Sequence, residues 1–361
     1  MKIVVTGTRG IPNILGGVET HCEELFPRIV QQGYNVTVIC RKGYKKDTYK
    51  EYKGVHLLNI GTSPNKLLEA IIHTFKSVWI AKFILHADLI HIHAIGPAIM
   101  TPLARLLGMK VVFTHHGADY ERAKWGRIAK WVLRFGERMG VKYANKVIVI
   151  SEVINSHIIY KYGRNDINLI FNGVNIPVKT HDTSYLDTLG IQKGNYVFAM
   201  GRFVPEKGFE RLINVFAELN LKEIQLVIAG DTDHEDKFSK KLKNLAREKK
   251  IILTGFIKGE KLNELLTNTR LFVIPSYHEG LPIALLEAMS FKLDVLASDI
   301  PANKTIGLPN DCYFENKNEI DFLNKLSLKI SKPVFNREYD MSAYNWDIIA
   351  KETASVYSKL F

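Results

Sequence analysis

Cysteine is scarce: Cys22, Cys40 and Cys312 are the only three in 361 residues, they are widely separated, and their number is odd. That excludes a disulfide framework and offers no metal-ligand spacing, so a reducing compartment is expected. No apolar run reaches membrane-span length unbroken. The longest candidate, between Asn65 and His86, is interrupted by Glu69, Lys76 and Lys82, so a buried or interfacial helix is expected there. The opening MKIVVTGTRG is too short in its apolar part for a secretory h-region; it reads as a first strand, which places the protein in the cytoplasm. The dinucleotide spacing G-x-G-x-x-G is missing from the glycine-rich stretch that follows, so a nicotinamide cofactor has no local support.

Acidic residues are short in the first half alone. Residues 1–180 hold 25 Lys and Arg against 12 Asp and Glu, and the remainder 24 against 25. The whole net charge of +12 therefore lies in the first half, which implies an anionic partner. Its densest part is 122–146. Arg122 leads it, and from Lys124 through Arg127, Lys130, Arg134, Arg138, Lys142 and Lys146 the steps are three or four residues, which makes one helical face. Trp125, Ile128, Val132, Phe135 and Met139 flank it. Such a helix either packs its apolar side on the core or lies against anionic lipid. No nucleic-acid module accompanies it, so nucleic acid is not an expected partner.

What is present has the rhythm of a two-domain α/β protein. Short apolar strands (Lys2–Thr6, Asn35–Cys40, Leu89–His93, Val111–Thr114, Val147–Ile150) alternate with helical stretches, and a second series starts at Tyr196. The expected division is 1–176, a polar linker 177–194, and 195–341, with a last helix in 342–361 returning to the first domain and anchored by Trp346. Three loops carry chemistry. Gly7, Gly10, Gly16 and Gly17 let the backbone of the first loop approach a phosphate or sugar. Gly201-Arg202-Phe-Val-Pro-Glu206-Lys207-Gly208 sets two cations beside a helix N-terminus, a diphosphate clamp. In Pro275–Glu287, PSYHEGLPIALLE, a strand ends in a glycine-containing loop, and Glu279 and Glu287 stand eight positions apart. Carboxylates at the carboxyl end of a parallel sheet suit hydroxyl-rich ligands.

Together these stretches resemble the retaining GT-B glycosyltransferases of family 4, the "group 1" transferases. TGTRGIP followed by GGVET resembles the branch that assembles bacterial polysaccharides, several members of which are rhamnosyltransferases. The resemblance covers almost the whole chain in order. It implies two Rossmann-like domains facing across a deep cleft, and transfer of a hexose-type sugar from a nucleoside-diphosphate sugar with retention of configuration. It implies no cofactor and no metal. Arg202 and Lys207 would bind the donor diphosphate, Glu287 the ribose, and Glu279 would lie near the donor sugar. His116, in His115-His116-Gly117, matches a histidine that contacts that sugar, with His115 turned to the core. Gly16, Gly17, Gly230, Phe256, Ile257, Gly280 and Leu281 complete the expected substrate-binding set. His91 and His93 are read as structural, and Asp231-Thr-Asp233 as loop rather than a metal-binding D-x-D. The acceptor is expected to be an oligosaccharide or lipid-linked saccharide, reached from the inner membrane face with 122–146 touching anionic lipid. Two other readings stay open: a nucleotide-sugar 2-epimerase of the same fold, and a nonenzymatic membrane- or nucleic-acid-binding protein.

Overall fold

The structure, a computed structural model, describes residues 1–14, 16–44, 50–63, 66–121, 125–232 and 235–361. It divides into two compact units, Met1–Gly173 with Ala343–Phe361, and Val174–Ser342.

In the first unit the strands are β1 (Lys2–Thr6), β2 (Asn35–Arg41), β3 (Glu51–Tyr52), β4 (Val55–Ile60), β5 (Leu89–His93), β6 (Lys110–His115), β7 (Lys146–Val149) and β8 (Ile167–Leu169). They form one sheet in the order β3-β4-β2-β1-β5-β6-β7-β8, parallel throughout except for β3. Central strands of a parallel sheet are covered on both faces, which is why β1 and β5 read as unbroken apolar or neutral runs rather than alternations. The last helix, Trp346–Ser358, lies against the helix Gly17–Gln31; Trp346, Ile349 and Tyr357 join the core of Val5, Phe26 and Val38. Gly173 makes room for it, since a Cβ there would sit 2.5 Å from the Trp346 ring.

Two helices of this unit carry large apolar side chains on their exposed faces. Helix Lys66–Phe83 buries His73, Thr74, Ser77 and Val78 and leaves Phe75, Trp79 and Phe83 exposed. The basic helix spans Arg127–Tyr143; Arg122 and Lys124 lie outside the described residues. Its buried stripe is Ala129, Gly136, Glu137, Gly140 and Val141, while Ile128 and Trp131 are 78% and 65% exposed. The reason is close approach: a Cβ on Gly136 would meet the Ile95 carbonyl oxygen at 2.1 Å. The small residues, not the large apolar ones, form its packing face. Among the described residues, no helix is long and apolar enough to cross a membrane.

In the second unit, β9 (Tyr196–Met200), β10 (Gln225–Ala229), β11 (Ile252–Gly255), β12 (Leu271–Ile274), β13 (Val295–Ser298) and β14 (Tyr313–Phe314) form a parallel sheet in the order β11-β10-β9-β12-β13-β14. Phe203, Phe209, Leu212, Val273 and Phe322 are part of its core. Residues 177–194, expected as a linker, belong to this unit. They carry the helix Ser184–Leu189, whose buried Leu186 donates its N–H to the buried Glu264 at 2.7 Å. Two buried apolar residues, Leu186 and Ile191, in a polar stretch were too little apolar signal to mark it.

Candidate active site

In the second sheet β9 is flanked by β10 on one side and β12 on the other. The loops leaving the carboxyl ends of β9 and β12 therefore part there, which is where open α/β sheets bind ligands. The loop after β9 passes through a short 3₁₀ turn, Pro205–Lys207, to Gly208. Gly208 has φ 68°, and a Cβ on it would lie 2.0 Å from the Pro275 carbonyl oxygen, so only glycine lets the loops after β9 and β12 close on each other. The Tyr277 N–H donates to the Glu206 carbonyl at 2.8 Å across the same seam. Lys207 Nζ then reaches Glu279 Oε1 at 2.6 Å, and Ser276 Oγ donates to that oxygen, also at 2.6 Å. Charge-assisted contacts this short are strong and directional.

Arg211 braces this pair from below. Its Nε and one terminal nitrogen donate to the Pro275 carbonyl at 3.0 and 2.6 Å, another nitrogen donates to the Asn316 carbonyl, and its plane lies 4.1 Å from the Tyr277 ring centroid. Sequence reasoning missed both Arg211 and Ser276. An arginine on the buried side of the helix Phe209–Glu218 was the available signal for the first.

The other expected residues of this unit are placed as follows. Arg202 and Glu287 are partly exposed, on the loop after β9 and on the helix Ile283–Ser290. Gly280 is partly exposed and Leu281 buried just before that helix. Gly230, with φ 142°, lets the turn after β10 pack on β9; a Cβ would come within 1.8 Å of the Gly201 carbonyl oxygen. Phe256 is 42% exposed beyond β11, with Lys258 Nζ 5.8 Å from its ring centroid, and Ile257 is partly buried. Asp231 pairs with Lys243 at 3.0 Å, and Asp233 lies outside the described residues.

In the first unit, β5 and β6 bring His93 and His116 together at their carboxyl ends, with His93 Nδ1 2.9 Å from His116 Nε2. The buried His21 lies beside them, its ring 4.9 Å from that of His116, and its Nδ1 is 2.8 Å from Asn172 Oδ1. His91 is satisfied on both nitrogens, by Tyr357 and Thr114 at 2.7 and 2.6 Å. His115 is buried and its Nε2 meets Glu137 Oε1 at 3.0 Å.

Glu137, itself fully buried, also receives Lys161 at 2.7 Å and the Tyr120 and Tyr162 hydroxyls at 3.2 and 2.5 Å. Burial alone raises its carboxyl, but hydrogen bonds from His115, His157 and Lys161 and the charge of His115 outweigh that and hold it far below the usual range. Gly16 precedes the helix Gly17–Gln31; a Cβ on Gly16 would lie 2.1 Å from Glu19 Oε2. Glu19 closes the glycine-rich loop by accepting the Arg9 N–H and side chain at 3.1 Å.

The two halves of the chain match two family models, "Glycosyltransferase Family 4" over residues 15–177 and "Glycosyl transferases group 1" over 185–346. This chain is a glycosyltransferase of the GT-B fold. That removes the epimerase and the nonenzymatic readings. The enzyme is 26% identical to a glycosyltransferase of Methanocaldococcus jannaschii over 99% of this chain and 98% of that one. It is also 26% identical to the UDP-Gal:alpha-D-GlcNAc-diphosphoundecaprenol alpha-1,3-galactosyltransferase of Escherichia coli, over 93% of this chain and 90% of that one. Among solved structures, Anabaena HepE in complex with UDP and glucose superposes with a TM-score of 0.81 at 18% identity, covering 99% of this chain and 100% of that one. At that identity the likeness is one of fold.

Proposed function

We propose that the enzyme moves a hexose-type sugar from a nucleoside-diphosphate sugar to a saccharide or lipid-linked acceptor in cell-surface polysaccharide synthesis, with retention and without a metal. The observation that carries this reading is the Lys207–Glu279 pair at the switch point of the second sheet, with Ser276 on the same carboxylate oxygen. Heterolysis of the anomeric C–O bond leaves an oxocarbenium-like sugar and a diphosphate. Lys207 and Arg202 stabilise the diphosphate charge as it develops. Glu287 accepts from the ribose hydroxyls, and Glu279 both orients Lys207 and faces the sugar. Phe256, Ile257 and Gly230 receive the base, and Gly280 and Leu281 the donor's sugar end. His116 contacts the transferred sugar, and Gly16 and Gly17 admit the reacting groups beside it. Attack from the face the diphosphate leaves accounts for retention, so no protein nucleophile is required. Support comes from a relative named for a UDP-sugar donor and a diphosphoundecaprenol acceptor, and from the complex of a fold neighbour with UDP and glucose.

The test is a thermal-shift panel of UDP, GDP, ADP and dTDP sugars, followed by turnover assays of Lys207→Ala and Glu287→Ala. One nucleotide should raise the melting temperature, and both variants should lose transfer. Wild-type turnover by Lys207→Ala would remove the clamp from the mechanism.

The lipid-linked acceptor has its own support. Ile128, Trp131 and Phe135 are exposed on the same helix as Arg127, Lys130, Arg134 and Arg138. A groove of about 990 Å³ beside them is lined by Trp131, Arg134, Arg138, Lys142 and Arg164. Exposed aromatics among cations suit the interface of an anionic membrane. Binding to anionic vesicles should fall with salt and with Arg127→Glu, Lys130→Glu and Arg134→Glu combined; equal binding to neutral vesicles would count against it.

A further inference from the structure

His21, His93 and His116 come from three separate places in the chain: the helix Gly17–Gln31, the end of β5 and the residue after β6. One ring nitrogen from each lies within 4.8 Å of the others. An amide oxygen can only accept, so the Asn172 contact fixes the His21 proton on Nδ1 and leaves Nε2 with a bare lone pair. That Nε2 is buried and has no hydrogen-bond partner among the described residues. Unpaired buried polar atoms are costly and call for an explanation. His91, two positions before His93 on the same strand, shows the ordinary alternative, with both nitrogens paired.

We propose that His21, His93 and His116 form a binding site for one divalent ion of the zinc class. Three imidazoles suit zinc, cobalt, nickel or copper, whereas magnesium and calcium want oxygen. The carboxamide behind His21 is the outer partner that a metal-bound histidine ordinarily has. Zinc with bonds of about 2.0–2.1 Å would hold the three nitrogens about 3.3 Å apart, opening the 2.9 Å contact between His93 and His116 by a few tenths of an ångström, with water in the fourth position. The ion would take the place of the hydrogen bond between His93 Nδ1 and His116 Nε2; His93 keeps its proton on Nε2 and His116 carries its own on Nδ1, so all three rings bind as neutral imidazoles. Burial already favours the uncharged rings that coordination needs. Partly exposed His116 gives the ion its way in. Asp294, Asp311 and Cys312 also converge, but there Lys329 and Arg337 already occupy the carboxylates at 2.6–3.2 Å.

For the consequence alone the inference rests on the reading of His116 given above: an ion held there takes His116 out of sugar contact, so zinc inhibits the transferase. The test titrates chelator-stripped enzyme with Co²⁺ and follows the visible ligand-field bands, then displaces cobalt with Zn²⁺. One ion per chain and bands of a four-coordinate nitrogen site are expected. His21→Gln and His116→Ala should each weaken binding at least tenfold, and Asn172→Ala by about 10–100-fold. His56→Gln, at an exposed histidine elsewhere in this unit, should leave it unchanged. Absence of the bands, or affinity unaltered by His21→Gln and His116→Ala, overturns the site. UDP binding, followed by thermal shift in the same samples, reports on the donor site separately: cobalt binding without any nucleotide binding would uphold this inference and sink the other.

Discussion

Each unit ends the first strand of its sheet in a glycine-bearing loop, and each loop is closed by a cation and a carboxylate. The two closures are built differently. In the first unit Arg9 and Glu19 are ten positions apart, and Glu19 takes the Arg9 backbone N–H and two side-chain nitrogens, all at 3.1 Å. In the second unit Lys207 and Glu279 are 72 positions apart and share one contact at 2.6 Å. A guanidinium grips a carboxylate at two points and holds a geometry; an ammonium is a point charge on a flexible stem, free to turn to a better partner. The side chains are 12% and 7% exposed in the first pair and 19% and 9% in the second. The first is a clasp that shapes its loop. The second is a single-point contact at the switch point, and on the reading proposed above its cation is held for an arriving anion.

The largest test of this contrast is Lys207→Ala. Removing a cation placed to meet developing charge should cut turnover about 10²–10³-fold, with a smaller loss of stability than the next variant because Ser276 still donates to Glu279, as steady-state assays and calorimetry would record. Next comes Glu19→Ala, which leaves Arg9 largely buried without its carboxylate. That should cost about 3–5 kcal/mol of stability, read from urea midpoints, while stabilisation by whichever nucleotide the thermal-shift panel identifies persists. The two variants should thus exchange phenotypes. Equal loss of fold in both would erase the distinction.

Acid sharpens it further. Burial raises the Glu19 carboxyl, but the charge and hydrogen bonds of Arg9 reverse that and leave it below its ordinary 4.5. A carboxyl depressed in the folded state contributes stability that is complete above its unfolded value and is lost as pH falls through the folded one. The urea midpoint of the wild type should therefore fall below about pH 4.5, and that of Glu19→Gln should fall less steeply over the same span.

Lys207 and Glu279, which meet in the structure, were both singled out from local patterns: one lies in a turn with Arg202, the other follows a strand. The strands were readable for the same reason, β1 and β5 having the expected limits and β9 starting at the expected Tyr196. What escaped was tertiary. His21 meets Asn172 across 151 positions, and His91 meets Tyr357 across 266; no spacing announces such pairs. His93 stands in the local HIH pattern, but the histidines that meet it, His21 and His116, come from elsewhere in the chain. Glu137 was a readable signal of another kind, a lone carboxylate amid a run of cations on Arg127–Tyr143, and it proves to be the buried hub of that helix. The helix's packing face was hidden because Gly136 and Gly140 count for nothing in hydrophobic periodicity, yet they decide how closely it approaches its neighbours.

The smallest effects belong to exchanging the two cations. Lys207→Arg keeps the charge but offers Glu279 a two-point grip, so less of it turns to a diphosphate; turnover should fall about tenfold, or ~1.4 kcal/mol. Arg9→Lys also keeps its charge, but a lysine cannot meet both Glu19 oxygens in the plane that Arg9 Nε and its terminal nitrogen define. One net hydrogen bond is lost and the other partner stays satisfied, which sets the cost at about 1 kcal/mol, visible as a small drop in urea midpoint with turnover unchanged. If Arg9→Lys instead slowed transfer as much as Lys207→Arg did, the first loop would be handling substrate charge too. The division between a clasp and a clamp would then be wrong at its first term.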